Sequence, residues 1–151
     1  MKLSINLHSI SDEYGFEKSV DVYKAAGFDA IDYSLMRMVY DNDPMNGENY
    51  RELALDARRF VEEKGMTINQ THAPFGFKPE QWDNEALFES VVLPRTARSI
   101  EISGLLGADV VVVHPIHHTP YQGHEEEVFE QYGVFSPTHS SRRKSECEDR
   151  C

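Results

Sequence analysis

The stretch Leu106-Gly107-Ala108-Asp109-Val110-Val111-Val112-Val113-His114-Pro115 runs from a helical pattern, through a glycine, into an unbroken valine run and out onto a histidine. A glycine just past a helix end takes the left-handed backbone conformation without a Cβ penalty, so Gly107 reads as a helix terminus. Four consecutive valines offer no polar face to water, the mark of a parallel strand buried on both faces. The arrangement occurs twice more upstream: Ala25-Ala26-Gly27-Phe28-Asp29-Ala30-Ile31 and Glu63-Lys64-Gly65-Met66-Thr67-Ile68 each pass from a helix-like segment through glycine into an apolar strand. Seven residues on from Gly65 stands His72, with Pro74 close behind, and seven on from Gly107 stands His114, followed by Pro115. The spacing predicts two imidazoles leaving successive strands at one depth. In a parallel α/β architecture that depth is the C-terminal rim of the sheet, where ligands and chemistry collect.

The neighbouring segments supply the rest of the alternation. Leu3, Ile5 and Leu7 alternate with polar residues, so Lys2 to Leu7 reads as a first strand closed by His8 and Ser9. A helix follows from about Phe16, with Phe16, Val20 and Tyr23 on one face and Gly27 at its end. The second strand, Asp29 to Tyr33, delivers Asp32 near its end and leads into a loop from Arg37 to Glu48. Tyr50, Leu53, Ala54, Ala57, Phe60 and Val61 recur at three- and four-residue steps while Arg51, Asp56, Arg59 and Glu63 face away, which predicts a helix packing one stripe inward. A third strand spans Met66 to about Thr71, and Ala73 to Phe77 is turn chemistry carrying two aromatic rings.

Helical pattern returns from Asn84 to Leu106, where Pro94 predicts a kink or two short helices. The fourth strand is Asp109 to Val113. A further helix is expected from near Glu125, with Glu125 to Glu127 as its acidic first turn, and from Gly133 onward periodicity ends in a composition typical of disorder. Four strands alternating with three complete helices build either an open doubly wound sheet or an eight-fold barrel. A whole barrel takes ~250 residues, so 151 hold roughly half of one.

Composition narrows the function classes. With 26 acidic against 15 basic residues, the formal charge of −11 repels polyanions, and the single dense basic cluster, Arg142-Arg143-Lys144, falls in the aperiodic tail. Cys147 and Cys151 have no second pair to complete a zinc site and read as free thiols in a reducing compartment. The Val110 to Val113 run is far short of the ~20 residues that a membrane helix needs, and the N-terminus lacks a signal-peptide pattern, so a cytoplasmic location is expected. Gly-rich phosphate cradles, nucleophile elbows and paired CxxC motifs are missing from the sequence.

Neighbouring strands lie ~4.8 Å apart, so His72 and His114 can converge on one divalent metal at ~2.1 Å per nitrogen. The alternative is that each ring satisfies a backbone group beside its own proline turn. His117 and His118 read as loop residues close to the same rim. Asp32 is the well-placed acid on an earlier strand end. It reads either as a solvated acid or helix cap, or as a group that orients a ligand or meets a substrate hydroxyl.

On Lys2-Leu3-Ser4-Ile5-Asn6, Ala26-Gly27-Phe28-Asp29-Ala30-Ile31-Asp32, Thr71-His72-Ala73-Pro74 and above all Leu106 to Pro115, the chain resembles the N-terminal half of the sugar phosphate isomerase/epimerase family. These are the xylose-isomerase-like TIM barrels, which also include the apurinic endonucleases (family 2). The resemblance covers about Lys2 to Gln131. It implies a partial barrel over residues 1–131 and a divalent cofactor (Mn, Mg, Co or Zn). The implied chemistry is a proton transfer next to a carbonyl in a sugar or sugar phosphate. It also implies a substrate contact at Asp32 and ligand or substrate contacts at His72 and His114; His72 and His114 are taken here as the metal candidates, with His8 and His117 as further candidates toward the substrate. The family's main metal carboxylates and general bases come from later strands, so catalytic residues are not assigned and the activity of this half alone is left open.

Residues 132–151 read as a disordered or frameshifted tail: synonymous codons for Tyr132 to Ser140 allow a one-nucleotide shift to read Met-Glu-Phe-Ser-Arg-Arg-Leu-Ile-Pro. Two other readings stay open. One is an abasic-site endonuclease-like metal hydrolase, which the acidic balance disfavours. The other is a non-catalytic fragment or assembly module, two copies of which can associate through their open sheet edges.

Overall fold

Gly107 adopts φ 78° and ψ 20°, caps a helix in the left-handed conformation and turns the chain into the last strand, as its place between Leu106 and the valines requires. The computed structural model describes residues 3–114 together with Gly123 and Glu126. The chain divides into two units, Met1–Val113 and His114–Cys151, and the sheet with its helices belongs to the first. The tail after residue 131, His117 and His118 lie outside the described residues, as does the expected helix near Glu125 apart from Glu126, which is helical. Among the described residues no helix is long and apolar enough to cross a membrane.

Four parallel strands stand in the order β1 (Ser4–Asn6), β2 (Ala30–Ser34), β3 (Thr67–His72) and β4 (Val110–Val112). Between them run α1 (His8–Tyr14), α2 (Phe16–Ala25), α3 (Tyr50–Glu63), α4 (Pro79–Asp83), α5 (Glu85–Leu87) and α6 (Leu93–Leu106). Consecutive strands that are neighbours and parallel, each returned by a helix, are the βα repeat that the sequence periodicity predicts. One sheet face packs on the helices: Val20, Ile31, Ala54, Val61, Ile102 and Leu106 are essentially sealed from solvent in a single apolar cluster. Each fully buried Val, Ile or Leu side chain among these contributes about 1.5–3 kcal/mol. Ala54 and Ala57 on α3 are small enough to let α6 approach closely, and Ile102 and Leu106 fill the space between the helices and the sheet. Where a hydroxyl must be buried it is partnered, as with Thr71 Oγ1 and Ser103 Oγ at 2.6 Å.

Three expectations need correction. His8 and Ser9 do not merely close β1 but begin α1, a seven-residue helix that the sequence reading passed over. The Arg37 to Glu48 segment is not plain loop: it holds 3₁₀ turns at Met36–Val39 and Pro44–Asn46. Arg95 pins it by donating to the Val39 carbonyl at 2.8 Å, and Arg98 by donating to that of Asn46. β4 is not sealed on both faces: Val110 is half exposed, because β4 ends the strand order and is paired on one side only among the described residues.

The disruption expected at Pro94 takes the form of a π turn at Phe88–Val92, immediately before α6, with Pro94 in the first turn of that helix. A proline nitrogen cannot donate to the preceding turn, and a widened turn absorbs the missing bond without ending the helix.

Candidate functional site

Asp32 occupies the middle of β2 and its side chain projects from the face opposite the helices, the same face that carries Asn6 at the end of β1 and Gln70 and His72 at the end of β3. The register sets this up, with Asn6 opposite Asp32 and Asp32 opposite Gln70. Between Ile68 and Gln70 the pairing with β2 slips by one residue at Asn69, a bulge that turns Gln70 and His72 toward Asp32.

Only 4% exposed, Asp32 is clasped on every side. Its Oδ2 accepts from Asn6 Nδ2 at 3.1 Å and from Gln70 Nε2 at 2.8 Å. His72 Nδ1 lies 2.9 Å from Oδ1 and 2.8 Å from Oδ2. The Asn6 amide cannot be turned the other way, because its Oδ1 already accepts the His8 backbone N–H at 2.8 Å. An ionised carboxylate can only accept, so toward ionised Asp32 the His72 Nδ1 stands as the donor. A buried acid satisfied in this way is neither a solvated carboxylate nor a helix cap.

At the ends of β1 and β2 lies a cavity of about 370 Å³ lined by Leu7, Phe16 and Tyr33 together with His8, Ser11, Asp12, Ser34 and Arg37, and by none of the residues that clasp Asp32. Arg37 reaches across it to Asp12 at 3.2 Å. The Tyr33 ring leans on Phe16 with centroids 5.5 Å apart, and burial, helped by the nearby Asp43 carboxylate, pushes its phenol up to about 12. The phenol is therefore a neutral hydrogen-bonding group across the ordinary pH range. A larger hollow, about 470 Å³, lies along the outer surface of α3 between Glu52 and Glu62, away from the strand ends.

Of the residues singled out from sequence, Asp32 and His72 meet directly, and His8 lines the cavity at the ends of β1 and β2. His114 opens the second unit, and His117 lies outside the described residues. Opposite His72 in the β3–β4 ladder stands Val112, so His114 comes two residues after the paired position. Equal counts from two glycines do not give equal depths, in part because the Asn69 bulge consumes a residue of β3 without advancing the ladder. Asn6 and Gln70 escaped the sequence reading. The signal that could have found them is the strand period of two, which puts Gln70 on the face of His72 and Asn6 at the rim end of β1.

Among the described residues no group of three or more His, Cys, Asp or Glu side chains is placed to hold a metal ion.

No family model and no curated protein sequence matches the chain. Solved structures do. The chain is similar to a xylose isomerase domain protein from Alicyclobacillus acidocaldarius, with a TM-score of 0.53 and 15% sequence identity over 89% of this chain and 45% of that one. It is similar also to a sugar phosphate isomerase/epimerase from Parabacteroides distasonis, with a TM-score of 0.53 and 13% identity over 91% of this chain and 48% of that one. The chain spans about half the length of these structures. Its four parallel strands alternating with helices thus match half of a TIM-barrel fold.

Proposed function

We propose that the chain carries the N-terminal half of a metal-assisted isomerase or epimerase site for a sugar or sugar phosphate, with His72 and His114 as metal contacts and Asp32, His8 and His117 toward the substrate. The observation that supports this most is the buried Asp32 carboxylate, in the middle of β2, holding His72 Nδ1 at the C-terminal end of β3. An imidazole whose second nitrogen is held by a carboxylate is the usual arrangement around a divalent ion, and strand C-termini are where barrels of this type place their chemistry.

The donors present fit one corner of a metal site. His72 would hold the ion, while Asp32, both of whose oxygens are engaged, would act behind it. A divalent ion supplies Lewis-acid polarisation of a carbonyl and its neighbouring hydroxyl. The His8, Ser34 and Arg37 side chains around the cavity at the ends of β1 and β2 are of the kind that bind hydroxyl or phosphate groups. The net charge of −11 weighs against an abasic-DNA substrate, whose binding depends on a basic surface.

The test has two readouts on the whole chain. Calorimetric titration with Mn²⁺ should register binding that falls by about 10-fold or more in His72→Ala and in His114→Ala. Incubation with Mn²⁺ and a panel of aldoses, ketoses and their phosphates in D₂O should put deuterium on the carbon beside the carbonyl, and His72→Ala should abolish it. Unchanged affinity in both variants removes the metal site. Binding without exchange removes the activity of this half while leaving the site.

A further inference from the structure

We propose that two copies of this chain close into an eight-stranded parallel barrel, β4 of each copy pairing with β1 of the other. The inference goes beyond the site chemistry and needs neither a metal nor a substrate.

The hydrogen bonds already made show which groups stay open. In a parallel ladder a residue directs its N–H and C=O to one neighbouring strand, and the next residue directs its pair to the other side. On β1 the Leu3 carbonyl accepts from the Ala30 N–H and the Leu7 N–H donates to the Asp32 carbonyl, both at 3.1 Å, so Leu3, Ile5 and Leu7 serve β2. The backbone of Ser4 and Asn6 therefore faces away from the sheet. The Tyr23 hydroxyl donates to the Asn6 carbonyl at 3.2 Å, which leaves the Ser4 carbonyl and the Asn6 N–H open. On β4 the Val112 carbonyl accepts from the Ala73 N–H at 2.9 Å, so Val110 and Val112 serve β3 and Val111 presents its N–H and C=O outward. A parallel pairing needs that set: one residue giving an N–H and a C=O to the C=O and N–H of two residues that flank its opposite number.

The side chains agree with this match. Val111 lies opposite Thr71, whose hydroxyl is buried against Ser103 of α6, and Ile5 lies opposite the sealed Ile31, so both belong to the helical side. Setting Val111 of one copy against Ile5 of the other continues the apolar side across the seam. The polar face that carries Asp32 and His72 then becomes the inner wall of the barrel, and the second copy supplies the rest of that wall.

These edges also carry none of the usual guards against pairing. Ser4–Asn6 and Val110–Val112 contain no charged residue and no proline, and Leu3 and Val110 are half exposed. A lone extended peptide would cover one edge and leave the other. A second copy covers both, because a twofold axis along the barrel makes the two seams identical. Four strands from each copy give a ring in which interior side chains fill the centre, and half of such a ring is the fold that this chain matches.

The test is the mass of the whole chain by light scattering over about 1–200 µM, a range that brackets micromolar dissociation constants. The mass should rise from one chain of 17.3 kDa to two and go no higher. Each copy carries −11, so added salt should tighten the dimer by screening the repulsion. Hydrogen exchange locates the seam: the Val111 and Asn6 amides should exchange freely in the dilute chain and become protected as the dimer forms. Val111→Pro removes the outward N–H without touching a bond to β3, and it should weaken dimerisation by about 100-fold or more with the helical circular dichroism unchanged. Val111→Lys, which sets a charge in each seam, should act in the same direction.

A chain that stays monomeric at the top of the range overturns the proposal. So does growth beyond two copies, which means that the edges pair without closing. A dimer whose Val111 and Asn6 amides stay unprotected, or one that persists in both variants, is joined through another surface and overturns it as well. Should both variants fail to fold, the mass and the exchange pattern of the unaltered chain decide.

Discussion

Tyr33 and Asp32 are adjacent on β2 and point to opposite faces of the sheet, and their chemistry diverges accordingly. Asp32 meets amides and an imidazole on the polar face, whereas Tyr33 lies against Phe16 with its phenol pushed up to about 12, first by burial and then by the Asp43 carboxylate. The sign of the linkage follows. An unfolded tyrosine ionises near 10, so between about pH 10 and 12 the folded state keeps a proton that the unfolded state has lost. The contribution is fully present below pH 10 and is lost as the pH rises toward 12. Urea unfolding at rising pH should register a fall in stability across this window, and Tyr33→Phe should remove the part of the slope due to this residue while leaving that of the other tyrosines and lysines.

Asp32 and His72 were legible as candidate site residues because a titratable side chain in an apolar strand is conspicuous in a sequence. Asn6 and Gln70 were not, since an amide acquires a role only from what faces it, and what faces these two comes from strands 26 and 38 residues away in the chain.

Helix ends were the most readable feature among the elements, and Gly107 is the case with the most at stake. Its φ of 78° excludes an ordinary side chain at low cost, and a Cβ there would come within 3.1 Å of the Arg58 guanidinium on α3. Gly27 has a similar φ of 90° but open space around it. Gly107→Ala should therefore destabilise the fold by about 1 kcal/mol or more, and Gly27→Ala by less, the difference being what Arg58 must give up to move aside. Chemical denaturation of the two variants in parallel checks the ranking.

α3 was equally plain, because its apolar positions recur at helical steps over fourteen residues, with Ala54, Ala57 and Val61 buried as the pattern requires. α1 was not. His8–Tyr14 is a single short stretch rich in Ser and Asp, residues that compete with helical bonding, and it has too few turns for a face to repeat. The 3₁₀ turns after β2 were hidden for a related reason: two arginines of α6, far along the chain, hold them in place.

As a whole, the first unit is a sheet with two unlike faces. The helical side is a closed apolar core, while the other side carries Ser4, Asn6, Asp32, Asn69, Gln70 and His72, cross-linked by bonds such as Ser4 Oγ to Asn69 Oδ1 at 2.7 Å. β2 and β3 have ladders on both sides, whereas β1 and β4 each have one among the described residues. Hydrogen exchange should therefore be slowest at the backbone amides of Ala30–Ser34 and Thr67–His72 and appreciably faster in Ser4–Asn6 and Val110–Val112. Uniform protection across the four strands would mean that the outer two are held as firmly as the inner pair.

The alternation of helix and strand, the glycine stops and the arrival of His72 at a strand end were all carried by the amino-acid order alone, because each depends on residues within a few positions of one another; Asp32, expected near its strand end, stands in the middle of β2. How the strands slide against each other was not. The bulge at Asn69, the pairing of His72 with Val112 and the three-strand clasp on Asp32 arise from long-range pairing, in which a shift of a single residue exchanges one face for the other. That choice is made by the packing of the whole sheet against its helices, and no local pattern records it.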